Sequence, residues 1–360
     1  MAGPAPGVRE PFRTSNRTAA LPAGRPSRTA RGLTWAAIVA MAGCGKPFAL
    51  GEANSLIVVA SDSVWAQVSE ATYAILERTV FTTRDEKIFN VTQVGTESAE
   101  LPQLLLWRQV LVFGPPGDER LARVARKAGR EPAPGEIFQA TDVWAHGQVV
   151  TGIVLEPGRE VDSWLERLPP LSDLLEQSFR DYVMNRMFVS GVDTATASFL
   201  RETYGVTLEV PRVYERIRRE GDIVILRNDN PEPSELIRSV LIQRLDPVDS
   251  LAAADVYAWR ESMDDTQYNV PQSFQPLPER ERIVELGDRE AVEVRGIWQD
   301  QGGYPAAGPF IGVGVLCPSG TFFLDAWLYS PNPRRSKWEY LMQLERIVES
   351  FRCVENGSTS

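Results

Sequence analysis

The sequence is poor in the residues that carry most hydrolytic and metal chemistry. It has one histidine, His146, so neither a His-Glu-x-x-His helix nor a His/Cys zinc set can be assembled. A serine triad would have to use that same residue. No Gly-x-Ser-x-Gly elbow and no Ser-x-x-Lys pair occurs. Lysine is scarce too, with four in the chain (Lys46, Lys87, Lys127 and Lys337), and the formal net charge is −10. No basic stripe can be drawn against a phosphate backbone, which excludes nucleic acid as a partner. The apolar run from Leu33 to Gly43 falls well short of the roughly 20 residues that a bilayer-spanning helix needs.

Charge is distributed unevenly. Six arginines (Arg9, Arg13, Arg17, Arg25, Arg28 and Arg31) precede the apolar run against one acid, Glu10, so the rest of the chain is strongly acidic. A basic leader, an apolar run and small residues at a cut site have the layout of a secretory signal. Met41-Ala42-Gly43-Cys44 resembles the lipobox of bacterial lipoproteins, with Met41 where leucine is commonest. That resemblance implies cleavage before Cys44 and lipid on its sulfur and new amino terminus. Cysteine arithmetic agrees, because three is an odd number. With Cys44 lipidated, Cys317 and Cys353 are left either to pair with each other or to stay as two buried thiols.

The organisation expected is a signal peptide over 1–43 and a tether over 44–54. An N-terminal α/β domain over 55–200 and a C-terminal α+β domain over 201–360 follow. SLIVVA (55–60) reads as a buried strand, with Ser61 and Asp62 opening a helix. Gly114-Pro115-Pro116-Gly117-Asp118 turns the next strand into the helix ERLARVARKAG. It lacks the Gly-Lys-Ser/Thr ending of a phosphate loop, so a tight turn with acids at a helix start is the better reading. Residues 164–188 look like two helices broken at Pro169-Pro170. The second part offers seven strand candidates with turn signals between them, and a closing helix near 334–351 carries Trp338, Leu341, Leu344, Val348 and Phe351 on one stripe. In TFFLDAWLY, Phe322, Leu324, Ala326 and Leu328 take one face and Phe323, Asp325, Trp327 and Tyr329 the other. The fold class is therefore α+β: an α/β unit, then a mostly antiparallel sheet packed by a C-terminal helix.

Few residues suggest a site. Asp264-Asp265 are adjacent, so on regular structure they point apart, and His146 reads as a polar loop residue. The stretch 293–310 is the most distinctive. Arg295, Trp298, Tyr304 and Phe310 form a candidate ligand lip, with Arg295 as anion fork and Trp298 as stacking face. The competing reading is a hairpin connection with an Arg-on-Trp contact.

Four motifs here, Arg295-Gly296-Ile297-Trp298, Gly308-Pro309-Phe310, Tyr329-Ser330-Pro331 and Gln343-Leu344-Glu345, resemble the C-terminal signature of a bacterial lipoprotein family, domain of unknown function 4837. The likeness runs over about residues 55–352, although Tyr304-Pro305-Ala306-Ala307 splits the family's Gly-Gly-Pro-Phe run. That family has no assigned activity, so the resemblance implies no catalytic residue, metal or cofactor. The closing half also looks like the extrinsic photosystem-subunit fold, which is an analogy of fold alone. The expectation is a non-enzymatic binding or structural lipoprotein held to a membrane by Cys44. Gly45 rather than aspartate after the cysteine favours the outer membrane, facing the periplasm. Its partner would be an envelope protein or a ligand. The alternatives are a carboxylate-based periplasmic hydrolase and a carrier of a small apolar ligand in a groove beneath the last helix.

Overall fold

The structure, a computed structural model, describes residues 45–220, 222–230, 235–263, 272–302, 306–332 and 335–354. The leader, Cys44, Asp264-Asp265 and Tyr304 lie outside them. Residues 46–360 form one compact unit.

The first sheet follows from alternation of apolar strands and amphipathic helices. Along the chain run β1 (Ser55–Ala60), α1 (Asp62–Leu76), the hairpin β2 (Thr79–Phe81) and β3 (Asp85–Lys87), β4 (Asn90–Gly95) and α2 (Leu101–Leu104). Then come β5 (Gln109–Gly114), α3 (Glu119–Ala128), β6 (Ile137–Thr141), β7 (Val149–Val154) and α4 (Glu160–Met187). The spatial order is β4-β1-β5-β7-β6, parallel except for β6. Both faces are covered, which is why β1 and β5 read as continuous apolar runs. Leu56, Val58 and Leu111 pack under α1 and α4, while Ile57, Val59 and Val112 pack under α3.

Contrary to the expected break at Pro169-Pro170, α4 is one helix of 28 residues. Both prolines face solvent, where carbonyls deprived of a partner can bond water. Trp164, Leu168, Leu171, Leu175, Phe179 and Val183 bury a continuous stripe through them, and that burial outweighs about 3 kcal/mol per interior proline.

The second part continues with α5 (Thr194–Tyr204), β8 (Val206–Thr207), β9 (Glu215–Glu220), β10 (Ile223–Asn228), β11 (Ile237–Leu245) and α6 (Ala253–Glu261). It closes with β12 (Gln272–Pro276), β13 (Arg282–Leu286), β14 (Arg289–Asp300), β15 (Ala307–Cys317), β16 (Gly320–Tyr329), α7 (Lys337–Glu349) and β17 (Arg352–Cys353). The main order is β12-β14-β15-β16-β11-β10-β9, with β13 also on β14, and every pairing is antiparallel. Its central strands β15 and β16 are buried on both faces. Phe322, Leu324, Ala326 and Leu328 meet α5 and α7, whereas Phe323, Trp327 and Tyr329 meet α6. On the α6 face Asp325 pairs with Arg260 at 3.2 Å, with both side chains essentially inaccessible. Cys317 and Cys353 form a disulfide that ties β15 to the chain just beyond α7.

The two parts share a helix. α7 gives Leu341, Leu344, Ile347 and Val348 to the antiparallel core and Met342 to the core under α1 and α4.

The segment expected as a tether is hydrogen-bonded to the body from Pro47 onward. His146 N donates to Pro47 O, Ala49 N to His146 O, Leu50 N to Leu106 O, and Arg108 N to Leu50 O, all at 2.8 to 2.9 Å. This adds short bridges at the amino ends of β5 and β7.

Candidate functional site

Two cavities lie where the chain changes direction. In the first sheet β1 and β5 are neighbours, yet β1 leads into α1 on one face and β5 into α3 on the other. Their connections diverge at the carboxyl ends of the strands, the position at which open α/β sheets leave a ligand crevice. Here it measures about 500 Å³ and is lined by Ser61, Ser63, Thr96, Gly114, Pro115 and Asp118 among others. The Gly-Pro-Pro-Gly loop is the tight turn the sequence suggested, with Gly117 at φ +90°, where glycine is strongly favoured. Asp118 caps α3, accepting from Arg120 N at 2.8 Å and Leu121 N at 3.1 Å, and Arg120 Nη2 closes on it at 2.7 Å. Burial opposes its ionisation, but these donors outweigh burial and hold the carboxyl below the usual range.

The second cavity, about 570 Å³, sits at the amino end of α7 beside the β2–β3 hairpin. Glu86 Oε2 accepts from Lys337 N at 2.8 Å and from Trp338 N and Ser336 Oγ at 3.3 Å. Ser336 stands at the N-cap position but makes no side-chain cap bond, so Glu86 caps α7 from a distant strand. Glu339 is buried one turn on and pairs with Arg186 at 2.9 Å. Burial pushes the Glu339 carboxyl up, and Arg186, itself half exposed, does not bring it back. The cleft thus holds two carboxyl groups, one capping a helix end and one pushed up by burial beside Arg186. Among the described residues no group of His, Cys, Asp and Glu could hold a metal ion.

Of the three described lip residues, Trp298 and Phe310 share one face of the sheet and Arg295 takes the other. Arg295 and Trp298 are three apart on β14, so their side chains take opposite faces of the sheet. Arg295 reaches Glu293 at 2.8 Å and Glu345 at 2.6 Å on the α7 side. Burial works against its charge, but Glu345 and Glu293 outweigh that and hold its proton more firmly than usual. Trp298 is buried on the α6 side, its indole N–H donating to Leu328 O at 3.0 Å. Phe310 lies in the same core and carries the Arg260 guanidinium 4.0 Å over its ring. Neither ring has an open face for a ligand, and the Arg-on-Trp contact is replaced by Arg260 on Phe310. Tyr304 is outside the described residues. His146 is half exposed, 3.9 Å from Asp142, in the loop that holds the segment after Gly45. The Glu86 cap and the α6 pair Arg260–Asp325 were not anticipated; nothing local in the sequence signals either.

Residues 193–350 match the model of a family described as "Domain of unknown function (DUF4837)". The match falls in the C-terminal part of the chain. Its limits coincide with structure: Asp193 caps α5, and Ser350 follows α7. The DUF4837 match therefore takes in the antiparallel sheet and both its covering layers, and leaves the parallel sheet outside. No curated protein matches the sequence. Among solved structures, the chain is similar to cyanobacterial PsbP (CyanoP) from Synechocystis at 12% identity and TM-score 0.30, over 41% of this chain and 86% of that one. It is similar to the Saccharomyces cerevisiae Ran-binding protein Mog1p at 15% identity and TM-score 0.29, over 42% and 91%. A third, LpqN of Mycobacterium tuberculosis, described as involved in cell envelope biogenesis, gives 16% identity and TM-score 0.28, over 42% and 83%.

Proposed function

We propose that this DUF4837 protein is a non-catalytic binding module of the bacterial cell envelope, held to a membrane by lipid on Cys44 and facing the periplasm. The observation that carries the reading is the division of its three cysteines. Cys317 and Cys353 are bonded to each other, as suits an oxidising compartment, and the third stands at the end of a basic and apolar leader. No helix among the described residues is long and apolar enough to cross a membrane. Anchoring would therefore rest on lipid.

Docking of the segment from Pro47 onward supports an orientation for this reading. Pro47 is bound three residues after Cys44, and Phe48 is 80% exposed beside it. A lipid on Cys44 would hold the amino ends of β5 and β7 near the bilayer. The crevice lies at their carboxyl ends, about 20 Å away along six-residue strands, and would open toward the periplasm. Fractionation of a Gram-negative host tests the reading. Wild type should sediment with outer membranes and Cys44→Ser should be released in the soluble periplasmic extract. Soluble wild-type protein would overturn it.

One observation favours a second reading, a carboxylate-based hydrolase: Glu339 is buried in a polar cleft with its carboxyl pushed up, as a general acid requires. On that reading Glu339→Gln abolishes function in cells. On the first it leaves function intact.

A further inference from the structure

A separate groove follows α7 toward its carboxyl end, between β2 and the β13–β14 pair, with a volume of about 460 Å³. That is within the range of small-ligand sites. Four arginines line it in a chain that is otherwise acidic: Arg180 from α4, Arg280 from the turn before β13, Arg282 from β13 and Arg295 from β14. Two are committed. Arg282 and Arg295 share Glu293 at 2.9 and 2.8 Å, and Arg295 also reaches Glu345. The other two are not ion-paired among the described residues. Instead, the Arg180 guanidinium lies 5.5 Å from the Trp338 ring centroid, and that of Arg280 lies 5.5 Å from the Phe81 ring centroid. An aromatic face orients a guanidinium while leaving its N–H donors open. The remaining acid of the groove, Glu349, is pushed toward its protonated form by burial and by Glu345, which weakens its opposition to an anion.

We propose that this groove is an anion site for a phosphomonoester, gripped by the two aromatic-backed forks of Arg180 and Arg280. A carboxylate satisfies one such fork with its two oxygens, whereas a phosphomonoester presents three terminal oxygens and can accept from both. The site does not depend on lipid at Cys44 or on the crevice of the first sheet. The phosphate could belong to a free metabolite or to a lipid headgroup, and two probes separate these.

Calorimetric titration with glycerol 3-phosphate at low salt reads the free ester, and flotation with vesicles containing phosphatidic acid reads the headgroup. Each is run on wild type, Arg180→Ala/Arg280→Ala and Arg180→Lys/Arg280→Lys, with thermal melting to confirm folding. Binding of either probe that falls at least tenfold in the alanine pair supports the site, and the lysine pair should recover part of it through charge without the fork. Binding of neither probe to wild type, or binding that survives the alanine pair, overturns the proposal.

Discussion

The Glu86 carboxylate, on β3, accepts the backbone N–H of Lys337 at 2.8 Å across 251 positions of sequence. One side chain from the hairpin beside the parallel sheet thus closes the amino end of the helix on which the antiparallel sheet packs. The same oxygen also takes Trp338 N and Ser336 Oγ, and Lys337 Nζ lies 3.7 Å from its partner oxygen. Because α7 serves both cores, this contact couples them.

Removing that cap should be costly. Glu86→Ala strips four hydrogen bonds to a charged acceptor, three from the start of α7 and one from Thr82 Oγ1, and removes the carboxylate beside the buried Lys337. A loss of about 2–3 kcal/mol is expected in urea unfolding, with Glu86→Gln recovering part of it. A change within the error of the measurement would show that α7 needs no partner from β3.

The disulfide closes a loop over a sequence separation of 36. Cross-linking of that length restricts the unfolded chain by roughly 3–4 kcal/mol. Cys317→Ser/Cys353→Ser, or reduction, should lower the urea midpoint accordingly without changing the fold seen by circular dichroism.

Arg260 and Asp325 should behave as a unit. Asp325→Ala removes a buried carboxylate 3.2 Å from the Arg260 guanidinium and should destabilise by about 3–5 kcal/mol. An apolar replacement of both, Arg260→Met with Asp325→Leu, should recover most of that loss in the same denaturation assay.

The pH dependence near Glu339 has a definite sign. Its folded carboxyl is pushed above the ordinary value of 4.5, so the fold binds this proton more tightly than the unfolded chain does. The associated stability is fully present below about 4.5 and is lost as pH rises through the folded value. Glu339→Gln, which cannot ionise, should therefore be at least as stable as wild type at pH 7, with any gain disappearing at pH 4. A variant that is less stable at pH 7 would mean that the Arg186 contact dominates.

Local pattern made much of this architecture legible. SLIVVA appears as β1, Asp118 and Gly129 bound α3 as cap residues should, and the alternation in β16 assigns each side chain to its face. Elements without a local signature were missed. β9 is ERIRRE, a charged edge strand whose pairing on one side only requires no apolar alternation. The α4 prolines signalled a break that burial of the opposite face overrides. Asp325 was placed on its face, but Arg260 sits on α6, a helix with little amphipathic pattern, and only the tertiary fold brings them together. Within the stretch 293–310, Arg295 and Trp298 take opposite faces, because residues three apart on a strand cannot share one.

The central claim is that Cys44 is the anchor and the compact unit beyond it a binding module. Metabolic labelling with a radioactive fatty acid in a Gram-negative host, comparing wild type with Cys44→Ser, tests it most directly. The account predicts label on wild type and none on the variant. Label on neither would contradict it, leaving the leader an ordinary signal or a buried segment and removing the membrane from the account.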